Sequence, residues 1–394
     1  MPDGFPEGAA VTLAALEIDP HPVLARLRAS EPVSWVPALG GWLVTRRDLA
    51  MQVMRDAETF TVDDPRFSTG RVVGPSMLTL DGPEHRRHRA PFAAPFRLGP
   101  VRERFTAPVR EETDRLLDAI APAGEAELRR ELAGPLAAAV VTLALGLEAT
   151  GTAEVLGWYD AIVGSVTAIT AGGAPTEAGR RGFEALRDAM EPAMRRGPES
   201  SLVAAAAGEG GLEPGQVVSN AAVLLFGGIE TTEGMIAGAV AHLLAHPDQL
   251  AAVRAEPALL ADAIEESLRL EPAAAVVDRY ATRTVELAGA PISAGDLVIV
   301  SIAGANRDPA VFPDPDTFDV RRENARLHAA FAAGPHVCIG MHLARLETHT
   351  AVARVLERLP DLRLADGRAP DARGLVFRKP DALRVRWTPP GAVG

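Results

Sequence analysis

The stretch Phe331-Ala-Ala-Gly-Pro-His-Val-Cys-Ile-Gly340 holds Cys338, the only cysteine of a 394-residue chain. It reads as a strand-like apolar entry, a glycine/proline turn and then an amphipathic helix running about from Gly340 to Leu359. One thiol cannot close an internal disulfide. Cys338 is therefore either inert core, since free cysteine is among the most buried residue types, or a reactive ligand. The flanks favour the ligand. Gly334 and Gly340 permit close backbone approach and positive φ, Pro335 stiffens the turn that presents the sulfur, and amide N–H groups opening the next helix favour a thiolate. A thiolate held so suits a soft or redox-active metal.

Around this loop the composition sets bounds. Hydrophobic residues make up 47% of the chain, ample for a core, and no Ser/Gly linker, charge block or repeat divides it. A single large, mainly helical domain over 1–394 is expected. No apolar run is expected to approach the roughly 20 residues of a membrane span, and the opening Met-Pro-Asp-Gly-Phe-Pro-Glu resembles neither signal nor anchor. A cytoplasmic protein without membrane attachment is expected, and one cysteine agrees with a reducing compartment. A net charge of −12 argues against nucleic acid as a partner. Of the 40 basic residues only Lys379 is lysine, a bias that with so much Ala, Gly and Pro suits a GC-rich bacterial genome.

Short alternating runs at Val33–Val36 and Gly41–Thr45 read as strands between turns. Helical apolar spacing then dominates over 100–120, 128–147, 153–170, 176–195, 213–245, 248–253 and 257–270. Strand chemistry returns at Val285–Leu287 and Leu297–Ser301, followed by a long turn-rich passage over 303–337.

Three further segments carry possible chemistry. Glu266 and Arg269 stand at i, i+3 on one helical face, a spacing equally suited to a solvated salt bridge. Leu224-Leu-Phe-Gly-Gly-Ile-Glu-Thr-Thr232 puts two glycines, an acid and two hydroxyls inside an apolar helix. Packing on small residues and a local bulge or kink both explain it. Asp81-Gly-Pro-Glu-His-Arg-Arg-His-Arg89 looks like a nucleic-acid patch or a histidine metal site, but the chain is acidic and His85 and His88 lack further ligands nearby. His242 and His246, beside Pro247, read as a helix end and turn.

The cysteine segment resembles the haem-ligand loop of the cytochrome P450 family, Phe-Gly-x-Gly-x-His-x-Cys-x-Gly, departing only at Ala332. The resemblance covers about residues 30 to 387 and implies a mainly α fold with small β-sheets, haem b as cofactor and O2 as co-substrate. It implies that Cys338 is the axial iron ligand, that His85, Arg89, Arg279 and His336 grip the propionates, and that Gly340 belongs to the haem loop. Gly227 and Gly228 would make room above the iron, Thr231 would hydrogen-bond the oxygen being activated, and Glu230 would feed protons inward. Glu266, Arg269 and Arg322, with Arg321 as fallback, would form a buried scaffold triad. Met77, Leu78, Phe226, Ala274, Val277, Phe377 and Arg378 match pocket-lining positions, with Arg378 either a carboxylate-holding residue or a solvent-facing hairpin charge.

The function so implied is a monomeric haem-thiolate monooxygenase of secondary metabolism. It would hydroxylate or epoxidise a medium-sized, largely apolar small molecule with electrons from a separate ferredoxin or flavodoxin and its reductase. Arg86, Arg87, Arg102, Arg104 and Arg345 flank the expected docking side, and the helices around Ala171–Pro175 would form a lid. Oxidative C–C or aryl coupling is the alternative chemistry, and a haem-based sensor or carrier the alternative class.

Overall fold

The computed structural model describes residues 4–170, 173–196, 201–209 and 211–389. Residues 171 and 172, on which the expected lid hinges, lie outside that set.

Pro214–Ala245 is the helix about which the rest is built. Pro214 supplies a preset first turn, and a reciprocal capping box joins Glu213 to Gln216. Because the helix is apolar nearly all round, it is stable only when surrounded by protein. By length and composition it could cross a membrane, counter to the sequence expectation, but most of it is buried within the molecule. Helices Gly134–Leu145, Leu260–Leu270 and Met341–Arg358 pack against it. The expected helix over 128–147 opens instead as a π turn at Arg129–Ala133. Pro135 has no N–H with which to continue the i→i−4 ladder there.

The largest sheet has five strands in the order Val33–Val36, Gly41–Val44, Leu297–Ser301, Val276–Ala281 and Phe60–Thr61. Trp42 pairs with Val298 in the parallel step, and Val277 with Val300 in the antiparallel one. A small hairpin, Ala372–Arg373 with Lys379–Pro380, reaches back toward the core helix.

The long passage after residue 302 has only a short helix, Ile302–Ala305, and 3-10 turns at Ala325–Leu327 and Gly334–His336. Backbone carbonyls outside a regular ladder need other donors, and here guanidinium groups supply them. Arg269 donates to the carbonyls of Asn306, Pro315 and Thr317, and Arg322 to those of Pro313, Asp314 and Thr317. Side chains thus replace the missing ladder and hold the passage that leads into the cysteine loop.

Candidate active site

The cysteine loop is closed by Cys338 N donating to Phe331 O at 2.8 Å and Ala332 N to Ala329 O at 2.8 Å. Ala332 adopts φ +56°, the left-handed conformation that glycine takes freely and that costs an L-residue about 1–2 kcal/mol. The alanine therefore leaves the turn's shape intact and carries its strain. Gly334 is required twice over: its φ is +72°, and a Cβ would fall 2.4 Å from Met54 O. Gly340 differs from expectation, with φ −85° and open space where a Cβ would project. Its use is room beside the sulfur.

Cys338 is open to a cavity of about 850 Å³ yet lies deep within the protein. Burial pushes the free thiol's pKa up, outweighing the opposing pull of the Gly340 amide, Arg89 and Arg345. The amide favours a thiolate as the sequence suggested, but desolvation wins. A coordinated cation reverses that balance, because metal binding deprotonates a thiol outright.

The cavity wall beside the loop carries Arg89, Arg279 and His336. Arg89 Nη2 donates to Val337 O at 2.6 Å and Arg279 Nη1 to Asp278 O at 2.7 Å. His336 Nε2 lies 2.8 Å from Asp81 Oδ1, and Asp81 also accepts from Thr61 Oγ1 and Val62 N. Asp81 escaped the sequence reading, although it opens the same helix as His85. The His85 ring sits 4.4 Å from that of His336, and its Nε2 is buried with no partner. Burial, then the neighbouring His336 and Arg89, lower its pKa to about 4. His88 turns elsewhere, its Nδ1 3.0 Å from Asn220.

Across the cavity runs the middle of the core helix. Gly227 has nothing within 4 Å of a would-be Cβ, whereas a Cβ on Gly228 would meet Val141 at 3.2 Å. One glycine opens the cavity and the other admits a neighbouring helix. Thr231 Oγ1 donates back to Gly227 O at 2.6 Å, and the helix continues unbroken through the pair rather than kinking. Thr231 and Glu230 both line the cavity, and Glu230 is ion-paired with Lys379 at 2.8 Å.

Met77, Leu78, Phe226, Ala274, Val277 and Phe377 also line it, Phe226 and Phe377 meeting edge-on at 5.2 Å. Arg378 does not. Successive residues of an extended segment point to opposite sides, and with Phe377 facing the cavity Arg378 faces away. It is buried against Glu271 at 2.6 Å and donates to the carbonyls of Leu16, Glu17, Ala372 and Gly374. Neither a carboxylate-holding nor a solvent-facing role fits; it is a clamp joining the hairpin to the N-terminal helices. Glu347, which the sequence reading passed over, also lines the cavity with Oε2 unpartnered, and burial raises its pKa well above the carboxylate range. Its i+4 relation to Leu343 on the inward face of Met341–Arg358 was the available signal.

Behind the site, Glu266 accepts from Arg269 at 2.7 and 2.8 Å, from Arg322 Nε at 2.9 Å and from Asp319 N at 3.1 Å. Both Glu266 and Arg269 are 0% exposed, which excludes a solvated pair. Arg321 instead makes a surface pair with Glu256. Of the five arginines expected at a docking face, Arg87 is held by Glu84 and Gln216, and Arg345 by Glu265 with its guanidinium over Phe331. Arg86 and Arg102 are exposed. His242, as expected, is structural: Nδ1 lies 2.8 Å from Ser267 Oγ and the ring stacks on Phe318.

A buried thiol beneath a large apolar cavity, with cationic and imidazole donors at one wall able to take a pair of carboxylates, fits a haem-thiolate protein. The unpartnered Nε2 of His85 and the open space at Gly227 and Gly340 agree with such a macrocycle. Comparison with known proteins identifies the family. A family model described as Cytochrome P450 matches residues 195–370. The chain is 38% identical over 384 residues to cytochrome P450 monooxygenase PikC from Streptomyces venezuelae, covering 94% of this chain and 91% of that one. It is 35% identical over 400 residues to nocardicin C N-oxygenase from Nocardia uniformis subsp. tsuyamanensis, covering 97% and 98%. The crystal structure of CalO2 superposes with a TM-score of 0.86 at 32% identity, covering 95% of this chain and 97% of that one. The chain belongs to the cytochrome P450 family and is an oxygenating oxidoreductase that binds haem b and uses O2.

Proposed function

We propose that the chain works as one haem-thiolate unit, in the cytoplasm, inserting one oxygen atom of O2 into a medium-sized, largely apolar molecule of secondary metabolism by hydroxylation or epoxidation. The second atom leaves as water, which consumes two protons and two electrons; the electrons come from a separate ferredoxin or flavodoxin. Exposed Arg102, which with Arg345 bears electrostatically on His342 at the start of the cysteine helix, is the best-supported steering charge for an acidic partner.

Haem b, when bound, supplies O2 activation at an iron whose thiolate ligand favours O–O cleavage. Cys338 is the donor of that thiolate, held by the Phe331 carbonyl and the Gly340 amide. Arg89, Arg279, His85 and His336 bind and orient the propionates through charge-assisted bonds. Thr231 holds a proton at Oγ1 on the cavity side of the core helix, and Glu230, the preceding residue, replenishes it. Phe226, Phe377, Met77 and Val277 exclude water and offer few directional contacts, so affinity comes from desolvation and related skeletons are tolerated.

The observation that carries this reading is a lone thiol facing a cavity whose opposite wall presents a glycine gap and the Glu230–Thr231 pair. Cys338→Ser is expected to abolish the strongly red-shifted absorption of the reduced carbon monoxide complex. Survival of that band would remove the ligand assignment.

A further inference from the structure

Lys379, the only lysine in the chain, is largely buried against the core helix. Its Nζ lies 2.8 Å from Glu230 Oε1 and 2.5 Å from Glu233 Oε2. The other oxygen of Glu233 takes Arg129 Nε at 2.8 Å, and Arg129 Nη1 donates to the carbonyls of Pro380 and Asp381. Two carboxylates one helical turn apart thus share Lys379, carried by the C-terminal hairpin, while Arg129, bonded to that hairpin's backbone, serves Glu233 alone. The hairpin lies against the helix at Gly234. A Cβ there would sit 3.0 Å from Ala273 Cβ and 3.6 Å from both Arg378 O and Lys379 Cβ.

The alternation that turns Arg378 away puts Phe377 and Lys379 on one side of the extended segment. Phe377 meets Phe226 at the cavity, and Lys379 meets the acid beside Thr231. A compact ammonium with three donors can serve two carboxylates at once.

We propose that Lys379 is a positioning residue for Glu230: it holds that acid in a buried ion pair turned toward Glu233, and it ties the proton relay to the hairpin that meets substrate through Phe377. This rests on the reading of Glu230 as proton source given above. Without Lys379, Glu230 loses its paired cation while Glu233 keeps Arg129, and two like charges one helical turn apart disfavour both being ionised. Glu233 keeps the arginine, so Glu230 takes up the proton.

The test is infrared difference spectroscopy of the purified holoenzyme at neutral pH, joined to a double-substitution cycle on turnover. Lys379→Met should produce a protonated-carboxyl band that disappears when Glu230→Gln is added, and Lys379→Arg should not produce it. Product formation should fall about tenfold, less than the roughly 10²–10⁴-fold worth of a positioned proton donor because Glu230 remains. The lost reducing equivalents should appear as hydrogen peroxide. In the Glu230→Gln background, Lys379→Met should cost nothing further. Should Lys379→Met fail to yield folded holoprotein, Lys379→Gln carries the same test. A competent enzyme that gains no band, or an equal loss in both backgrounds, overturns the role of Lys379. A band that appears in a protein whose wild type never forms product overturns Glu230 as proton source, and the role of Lys379 with it.

Discussion

Two buried ionic clusters border the site, and their difference separates scaffold from machinery. Around Glu266, one carboxylate faces Arg269 and Arg322, and the remaining guanidinium donors are spent on carbonyls of a passage that has almost no regular structure. Around Glu230, two carboxylates share Lys379, with Arg129 serving Glu233 alone, at the wall of the cavity. The first cluster has every group paired and no face toward the cavity. The second matches two carboxylates to two cations, with one lysine shared between both acids, next to a hydroxyl. A saturated buried network is rigid, and losing one member strands a charge. One in which two acids share a single lysine can change partners.

The largest effect should fall on the saturated cluster. Glu266→Ala strands two buried guanidinium groups at a cost of about 3–5 kcal/mol, approaching the whole stability of a domain. Expression should yield little soluble haem-loaded protein; a stable, fully loaded variant would show that the two clusters do not differ in kind. On the cavity side, Thr231→Ala should leave folding and substrate affinity unchanged, lower product formation about 10²-fold and divert electrons to hydrogen peroxide. Unchanged coupling of electrons to product would break the contrast from the other direction.

The scaffold side should also be sensitive to acid. Burial lowers the pKa of His242 from 6.5 to about 4, with opposing influence from Glu271 and Glu266 and smaller lowering from Arg307 and His246. The unfolded chain therefore binds a proton at pH values where the folded one does not, so stability falls as pH drops from about 6.5 toward 4. In chemical denaturation at stepped pH, His242→Gln should flatten that part of the profile; an unaltered slope would assign it to other groups. The smallest effect concerns the loop itself. Ala332→Gly relieves a left-handed alanine but frees the unfolded chain, a net gain of about 0.5–1 kcal/mol. A thermal melt should move up by about 1 °C, and a downward shift would mean that the Ala332 methyl contributes packing.

How far the sequence reached depended on whether the deciding interaction was local. Helix and strand positions were legible because apolar spacing and Gly/Pro stops act within a few residues, as the agreement of 213–245 with Pro214–Ala245 illustrates. The π turn at Arg129–Ala133 was not, since one proline shifts a hydrogen-bond ladder without changing the apolar pattern. Asp81 was missed because its partner His336 is 255 residues away. Arg378 was misread because charge in a hairpin gives no sign of which side of the strand is buried.

By itself, the sequence determined the class of protein. A lone cysteine in a turn of glycine and proline, a glycine pair followed by acid and threonine in an apolar helix, and an i, i+3 Glu–Arg pair are local patterns, each open to a bland reading alone, that in this order resemble one family. Only the tertiary structure decided which charges are partners. Arg322 rather than Arg321 reaches Glu266, Arg378 turns from the cavity to the N-terminal carbonyls, and the only lysine bridges two acids at residues 230 and 233. The physical reason is that a long cationic side chain can satisfy any acid within its reach, so its choice is set by burial and by the direction its strand or helix gives it. Neither of these is written in the residues beside it.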